Sequence, residues 1–349
     1  NFNSSLAKKS PFDFHHFCLT NSDVKQWRVD YEARAADAKV WAAQHALQPA
    51  SAAQKRISLF LVDVQNTFAL PGFELYVGGR SSTGAVDDSR RLAAFIYRNL
   101  GRISKISLTM DTHRTMQIFH ATFLVDADGQ HPPAYTMVTV DDLEAERWHF
   151  NPALATHFGI TPEIGQARIL HYAKELARKG KYAWTIWPYH AMLGGVGHAI
   201  VPLIEEAVFF HSVARSTQPE ILEKGEAPFS ERYSALSAEV LHGPDGETLG
   251  EQDMALVDHL WDVDALIIAG QAKSHCVAAT VEDLLVNLRK VDPALAQKVY
   301  LLEDCTSPVV VPGADFTDAG DAAFAKFAEA GMHLVKSTQP MQTWGGIFE

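Results

Sequence analysis

Ile267-Ile-Ala-Gly-Gln-Ala-Lys-Ser-His-Cys-Val-Ala-Ala-Thr-Val-Glu-Asp283 reads as a buried strand, a tight turn of small residues carrying one cysteine, and the first turns of a helix. The apolar run Ala265 to Ala269 suits a central parallel strand, and Gly270 lets the chain leave it sharply. Beyond the turn, Val277, Val281, Leu284, Leu285 and Leu288 recur near a 3.6-residue period. Cys276 therefore falls where a strand ends and a helix begins. Unpaired N–H groups and the positive end of the dipole would favour thiolate over thiol there. A free cysteine at such a point is either a nucleophile or a small buried hydrophobe.

Working outward, Ile57 to Val62 is a second apolar run, ending in Asp63-Val-Gln-Asn-Thr-Phe68. A carboxylate at the carboxyl end of a central strand lies where open α/β sheets bind ligands, although a lone strand-end Asp also caps turns. Ile103 to Met110 makes another strand and ends in Asp111-Thr-His113, with His120 following. Residues two apart in an extended chain share a face, so Asp111 and His113 can converge on one point. Asp, His and His within ten residues is the composition of a catalytic metal site, although Asp-x-His alone is a weak signal and surface histidines are common in a chain with 16 of them.

Further strands are expected at Lys181 to Ile186, closing on Trp187-Pro-Tyr-His190, at Ala207 to Phe210, at Lys298 to Leu302 and at His333 to Lys336. Helices are expected at Ser89 to Leu100, Ile164 to Lys179, Leu256 to Leu260 and Asp318 to Ala330, with one opening at Gly194 to Gly197. The glycines of Gly194 to Gly197 lack the spacing of a dinucleotide loop. Strands alternating with helices give a parallel sheet with helices on both faces, whose strand ends share one crevice.

With 349 residues, 47% of them hydrophobic, the chain can bury a large core. Lys+Arg 30 against Asp+Glu 42, a net charge of −12 with no basic run, argues against a nucleic-acid or anionic-membrane partner. Cys18, Cys276 and Cys305 are too few and scattered for a disulfide framework, which points to a reducing compartment. Neither an 18-residue apolar run nor a signal-like h-region occurs, so a cytoplasmic protein is expected.

Taken together, Asp63-Val-Gln-Asn-x-Phe, Asp111-x-His with His120, Trp187-Pro-x-His190, Lys224-Gly with Tyr233-Ser, and Gly270-x-Ala-x-x-x-Cys276-Val-x-x-Thr resemble the isochorismatase-like cysteine hydrolases, in their nicotinamidase/pyrazinamidase branch. The likeness spans about residues 57 to 337. It implies a three-layer α/β/α fold with a central parallel sheet and a triad of Cys276, Asp63 and Lys224. Ala272 and Cys276 would form the oxyanion hole, with a cis peptide at Gln271-Ala272, and Phe68, Trp187 and Tyr233 would wall the substrate slot. One divalent ion, zinc first with iron or manganese as alternatives, would be held by Asp111, His113, His120 and His190. The substrate would be a small primary amide, nicotinamide-like.

Residues 1–55 then read as a helical extension packing on the core or on another subunit of a homo-oligomer. Residues 56–349 read as the hydrolase domain, with an insertion at about 121–186 anchored at both ends to site residues. Aromatics of that insertion, Phe123, Tyr135, Trp148 and Phe150, are expected to narrow or extend the slot, the alternative being a peripheral decoration that only stabilises an oligomer. Two rivals make opposite demands. A metal-independent relative acting on a vinyl ether or N-carbamoyl compound should lack the metal set, and a non-catalytic binding domain should have lost Cys276, Asp63 or Lys224.

Overall fold

A computed structural model describes residues 28–348; Cys18 and the first half of the expected N-terminal extension lie outside them. In chain order the main elements are α1 (Tyr31–Gln44), β1 (Ile57–Val62), α2 (Gly84–Arg98), β2 (Ile103–Asp111), α3 (Pro162–Lys179), α4 (Pro202–Arg215) and β3 (Glu220–Lys224). They continue with α5 (Ala255–Asp262), β4 (Ala265–Gly270), α6 (Ala278–Val291), β5 (Val299–Leu302), α7 (Thr317–Glu329) and β6 (His333–Val335). The six strands form one sheet in the order β6-β5-β4-β1-β2-β3, every pairing parallel.

Strands β1 and β4 lie at the centre and are buried along their whole length. Their side chains alternate between two cores. Leu59 and Leu61 of β1 and Ile267 of β4 join the core with α2 and α4, while Phe60, Val62, Leu266 and Ile268 join the one with α5, α6 and α7. Burial on both faces is why these strands read as continuous apolar runs rather than alternating ones. The result is the expected three-layer α/β/α fold. None of the described helices is long and apolar enough to cross a membrane.

Three sequence expectations are corrected. Ala207 to Phe210 is not a strand; it lies inside α4, whose buried Leu203, Ala207, Phe210 and Ala214 recur at helical spacing. Its place in the sheet is taken by β3, a polar edge strand whose Ile221 is 52% exposed. From the expected strand at Lys181 to Ile186 only Trp184–Thr185 pairs, antiparallel to Met137–Val138 and outside the main sheet. Gly194 to Gly197 opens no helix. Instead, Gly197 O and Ala199 O accept the amides of Thr67 and Asn66, tying this loop to the segment after β1.

The insertion builds a layer of its own. Leu124–Val125 pairs with His149–Phe150, and Phe123, Phe150 and Phe158 pack against Phe229 at centroid distances of 5.2, 6.2 and 5.0 Å. Helix α3 then braces the irregular stretch after β3: Arg168 Nε donates to Glu247 Oε1 at 2.8 Å and His171 Nε2 meets His242 O at 2.9 Å.

Candidate active site and metal centre

Parallel register places the chemistry. Asp63 follows β1, Asp111 ends β2, Lys224 ends β3 directly opposite Asp111, and Gly270 ends β4 opposite Val62. Gly270 has φ +121°, and a Cβ there would lie 2.0 Å from Val62 O, so only glycine fits. The chain then passes a cis Gln271-Ala272 peptide, where the resemblance placed it. Lys273–Val277 forms a π-helical turn, with Val277 N donating to Ala272 O at 3.1 Å, before α6 begins. Cys276 is carried on that turn rather than at a simple helix N-terminus.

Around the sulfur, Lys224 Nζ lies 3.7 Å from Cys276 Sγ, 2.9 Å from Asp63 Oδ2 and 3.0 Å from Asp111 Oδ1. The Asp63 charge also acts on the thiol, raising its value. Lys224 thus brings together the three residues that the resemblance named, touching both Asp63 and Cys276. Their electrostatics correct one expectation, however. Burial pushes the Cys276 thiol well above its ordinary value, and Lys224 offsets this only in part while Asp63 adds to it. The balance favours thiol over thiolate, because removal of solvent outweighs the lysine. Asp63 is also raised by burial, with Lys224 and the Thr109 hydroxyl pulling it back. Lys224 is held charged: burial opposes this, but Asp111 and Asp63 together prevail.

The histidines come together from two loops. His113 N donates to Ala191 O at 2.9 Å and Trp187 N to Phe119 O at 2.8 Å, so the stretches 113–120 and 187–192 run side by side. Donor atoms of His113, His120 and His190 lie within 4.8 Å of one another, all three residues buried. Asp111 Oδ2 is 3.1 Å from His113 Nε2 and 3.8 Å from His190 Nε2. Each ring turns Nδ1 to a backbone carbonyl: His113 to His190 O at 3.1 Å, His120 to Thr115 O at 3.2 Å, His190 to Pro188 O at 2.7 Å. That fixes the tautomer and leaves three Nε2 lone pairs for a cation, the arrangement that metal-binding histidines adopt. His120 Nε2 is buried with no partner at all. Burial and the neighbouring His113 depress His120 to about 4 and His190 well below its usual value, keeping both rings in the neutral form that binds metal. Donor types, tautomers and the orphaned nitrogen fit a divalent ion held by three histidines and Asp111.

Between the sulfur and the histidines lies a small cavity. Phe68, Trp187 and Tyr233 line it together with Cys276, His113 and His190. Water centres could occupy ≈ 30 Å³ of it. No residue of 121–186 lines it. Of the insertion's aromatics, Tyr135 reaches only the back of Trp187, edge-on at 6.2 Å, while Phe123 and Phe150 are spent in the cluster on Phe229.

Sequence reasoning missed several neighbours. Gln65 clamps Asp111 twice, accepting its amide and donating to its carbonyl, both at 2.8 Å. Glu231 is buried in the cavity wall, hydrogen-bonded by Tyr233 and Trp187 and pushed well above the carboxylate range by burial. His275 also lines the cavity, and Tyr182 stacks on it at 5.4 Å from the insertion side. Thr109 touches Asp63, and its position two residues before Asp111 on one strand was the signal that could have found it.

No protein-family model matches the chain, and no curated protein matches it in sequence. Solved structures do resemble it. A nicotinamidase/pyrazinamidase from Acinetobacter baumanii is 19% identical, with 81% of this chain and 97% of that one covered and a TM-score of 0.47. The yeast nicotinamidase bound to the inhibitor nicotinaldehyde is 18% identical, covering 80% and 99%, with a TM-score of 0.49. The pyrazinamidase of Pyrococcus horikoshii in complex with zinc is 17% identical, covering 80% and 99%, with a TM-score of 0.41.

Proposed function

We propose that the protein is an isochorismatase-like cysteine amidohydrolase that converts a small, nicotinamide-like primary amide to carboxylate and ammonia through a thioester. The observation that carries this is the buried Cys276, with Lys224 between it and Asp63, on a small cavity that His113 and His190 also line.

An amide is a poor electrophile with a poor leaving group, so a strong nucleophile, a proton carrier and an anion-stabilising site are all required. Asp63 takes the Cys276 proton, and the thiolate formed beside the Lys224 ammonium attacks the carbonyl carbon. Lys224 stays beside the negative charge as it passes from Asp63 to the sulfur, and keeps Asp63 oriented. The N–H groups of Ala272 and Cys276 stabilise the oxyanion, and Asp63 returns the proton to the departing ammonia. Water then enters. Asp63 removes its proton as it attacks the thioester and returns that proton to the sulfur as the C–S bond breaks, and the acid formed releases its own proton to solvent as it leaves as the carboxylate. Phe68, Trp187 and Tyr233 hold the substrate between them.

One divalent ion, zinc first and iron or manganese as alternatives, would be bound by Asp111, His113, His120 and His190. It supplies a Lewis acid able to polarise water or hold a substrate nitrogen. The chain's net charge of −12 supports a small-molecule partner rather than nucleic acid.

The test is an ammonia-release screen over small primary amides, with metal content measured on the same sample. Cys276→Ala should lose about 10³-fold or more in kcat while Cys305→Ala keeps its activity, and His120→Ala should lower bound metal and turnover together. Turnover by Cys276→Ala would end the mechanism.

A further inference from the structure

We infer that Thr109 is a positioning residue which decides which oxygen of Asp63 acts as the base, an inference that rests on the amidohydrolase reading above. Thr109 is fully buried on β2, and its hydroxyl makes two contacts with the same residue. Oγ1 donates to Asp63 Oδ1 at 2.6 Å and accepts the Asp63 amide at 3.0 Å. The second contact matters because Asp63 has φ +47°, a left-handed backbone that a non-glycine residue holds only when its surroundings enforce it.

A carboxylate has two oxygens and free rotation about its last bond. With Oδ1 occupied by the threonine hydroxyl proton, Oδ2 is the oxygen left beside Lys224, at 2.9 Å, to accept the proton of Cys276 Sγ. The transfer balances without further groups: the S–H bond breaks, an O–H bond forms at Oδ2, and the sulfur charge remains 3.7 Å from the Lys224 ammonium. Thr109 itself gains and loses no proton and touches no substrate. Removing its hydroxyl frees the carboxyl to turn and the backbone to relax, so productive proton transfers become rarer while substrate binding is untouched.

Thr109→Val keeps the shape and removes the hydroxyl; Thr109→Ser keeps the hydroxyl and removes a methyl. The valine variant should lose at least about tenfold in kcat with KM held within about twofold. Iodoacetamide should also alkylate its Cys276 more slowly than in the wild type. The serine variant should stay near wild type in both assays. Should the valine variant not fold, Thr109→Ala replaces it, checked by circular dichroism. A valine or alanine variant with wild-type kcat, a proportional change in KM and kcat, or equal losses in the serine variant would each overturn the inference. A wild-type protein that releases ammonia from no amide would instead overturn the proposed function, and the alkylation rates would still decide the role of Thr109.

Discussion

Two clusters of buried charge invite comparison, one at the carboxyl ends of the strands and one between α1, α2 and α4. In the second, Arg34 Nε donates to Glu206 Oε1 at 2.5 Å and Tyr97 Oη donates to Glu206 Oε2 at 2.5 Å. Arg34 spends its remaining nitrogens on Asp37 and on Tyr97 and stacks its guanidinium over Phe210 at 4.9 Å. Every charged atom there has a partner, and the cluster clamps α1 onto the domain. At the strand ends one lysine serves two carboxylates beside a thiol, and His120 Nε2 has no partner. Burial of charge is common to both. What separates a site from a clamp is bonding capacity left unspent and aimed at open space.

The largest effect that could break this comparison is Asp63→Asn. The substitution keeps shape and removes the base, so kcat should fall about 10³-fold, while the melting temperature holds or rises because one buried like-charge conflict with Asp111 disappears. Loss of folding along with activity would mean the strand-end cluster is a clamp as well. Next comes Arg34→Met. Breaking a buried ion pair strands Glu206 and should cost about 3–5 kcal/mol in urea unfolding, with kcat unchanged. Altered kinetics at constant stability would show that α1 communicates with the site.

The smallest effect sharpens the picture of the α4 side. His211 Nε2 bonds Ile103 O at 2.9 Å, and burial, reinforced by Arg215, depresses its value to about 4 from 6.5. Between those values the unfolded chain binds the proton and the folded one does not, so stability rises with pH. The contribution is fully present above about pH 6.5 and is lost as pH falls toward 4, amounting to about 3 kcal/mol over the window. His211→Gln should flatten that slope in urea titrations at pH 4.5 and 7. An unchanged slope would assign the acid sensitivity to other groups.

The central strands and the residues at their ends were legible in the chain because both effects are local. A strand buried on two faces must be apolar throughout, and the residue that follows it must emerge at the crevice. Asp63, Asp111 and His113 are placed at the crevice on that ground, whereas Cys276 sits beyond β4 on the π-helical turn. Lys224 was recognisable only through the family motif, since its strand looks like a solvated loop. An edge strand has one side in water and needs no apolar run, so Glu220 to Lys224 carried no signal. Ala207, Val208, Phe209 and Phe210 carried a misleading one, because four apolar residues fit strand and buried helix equally well.

The sequence by itself determined the alternation of elements, the three-layer sheet and the side chains presented at the strand ends, since each depends on neighbours along the chain. Only the tertiary structure decided the charge state of Cys276, the hydroxyl clamp of Thr109 on Asp63, the tautomers of His113, His120 and His190, and the burial of Glu231 in the cavity wall. Those properties are set by solvent exclusion and by partners distant in the chain, and neither quantity is written in local composition.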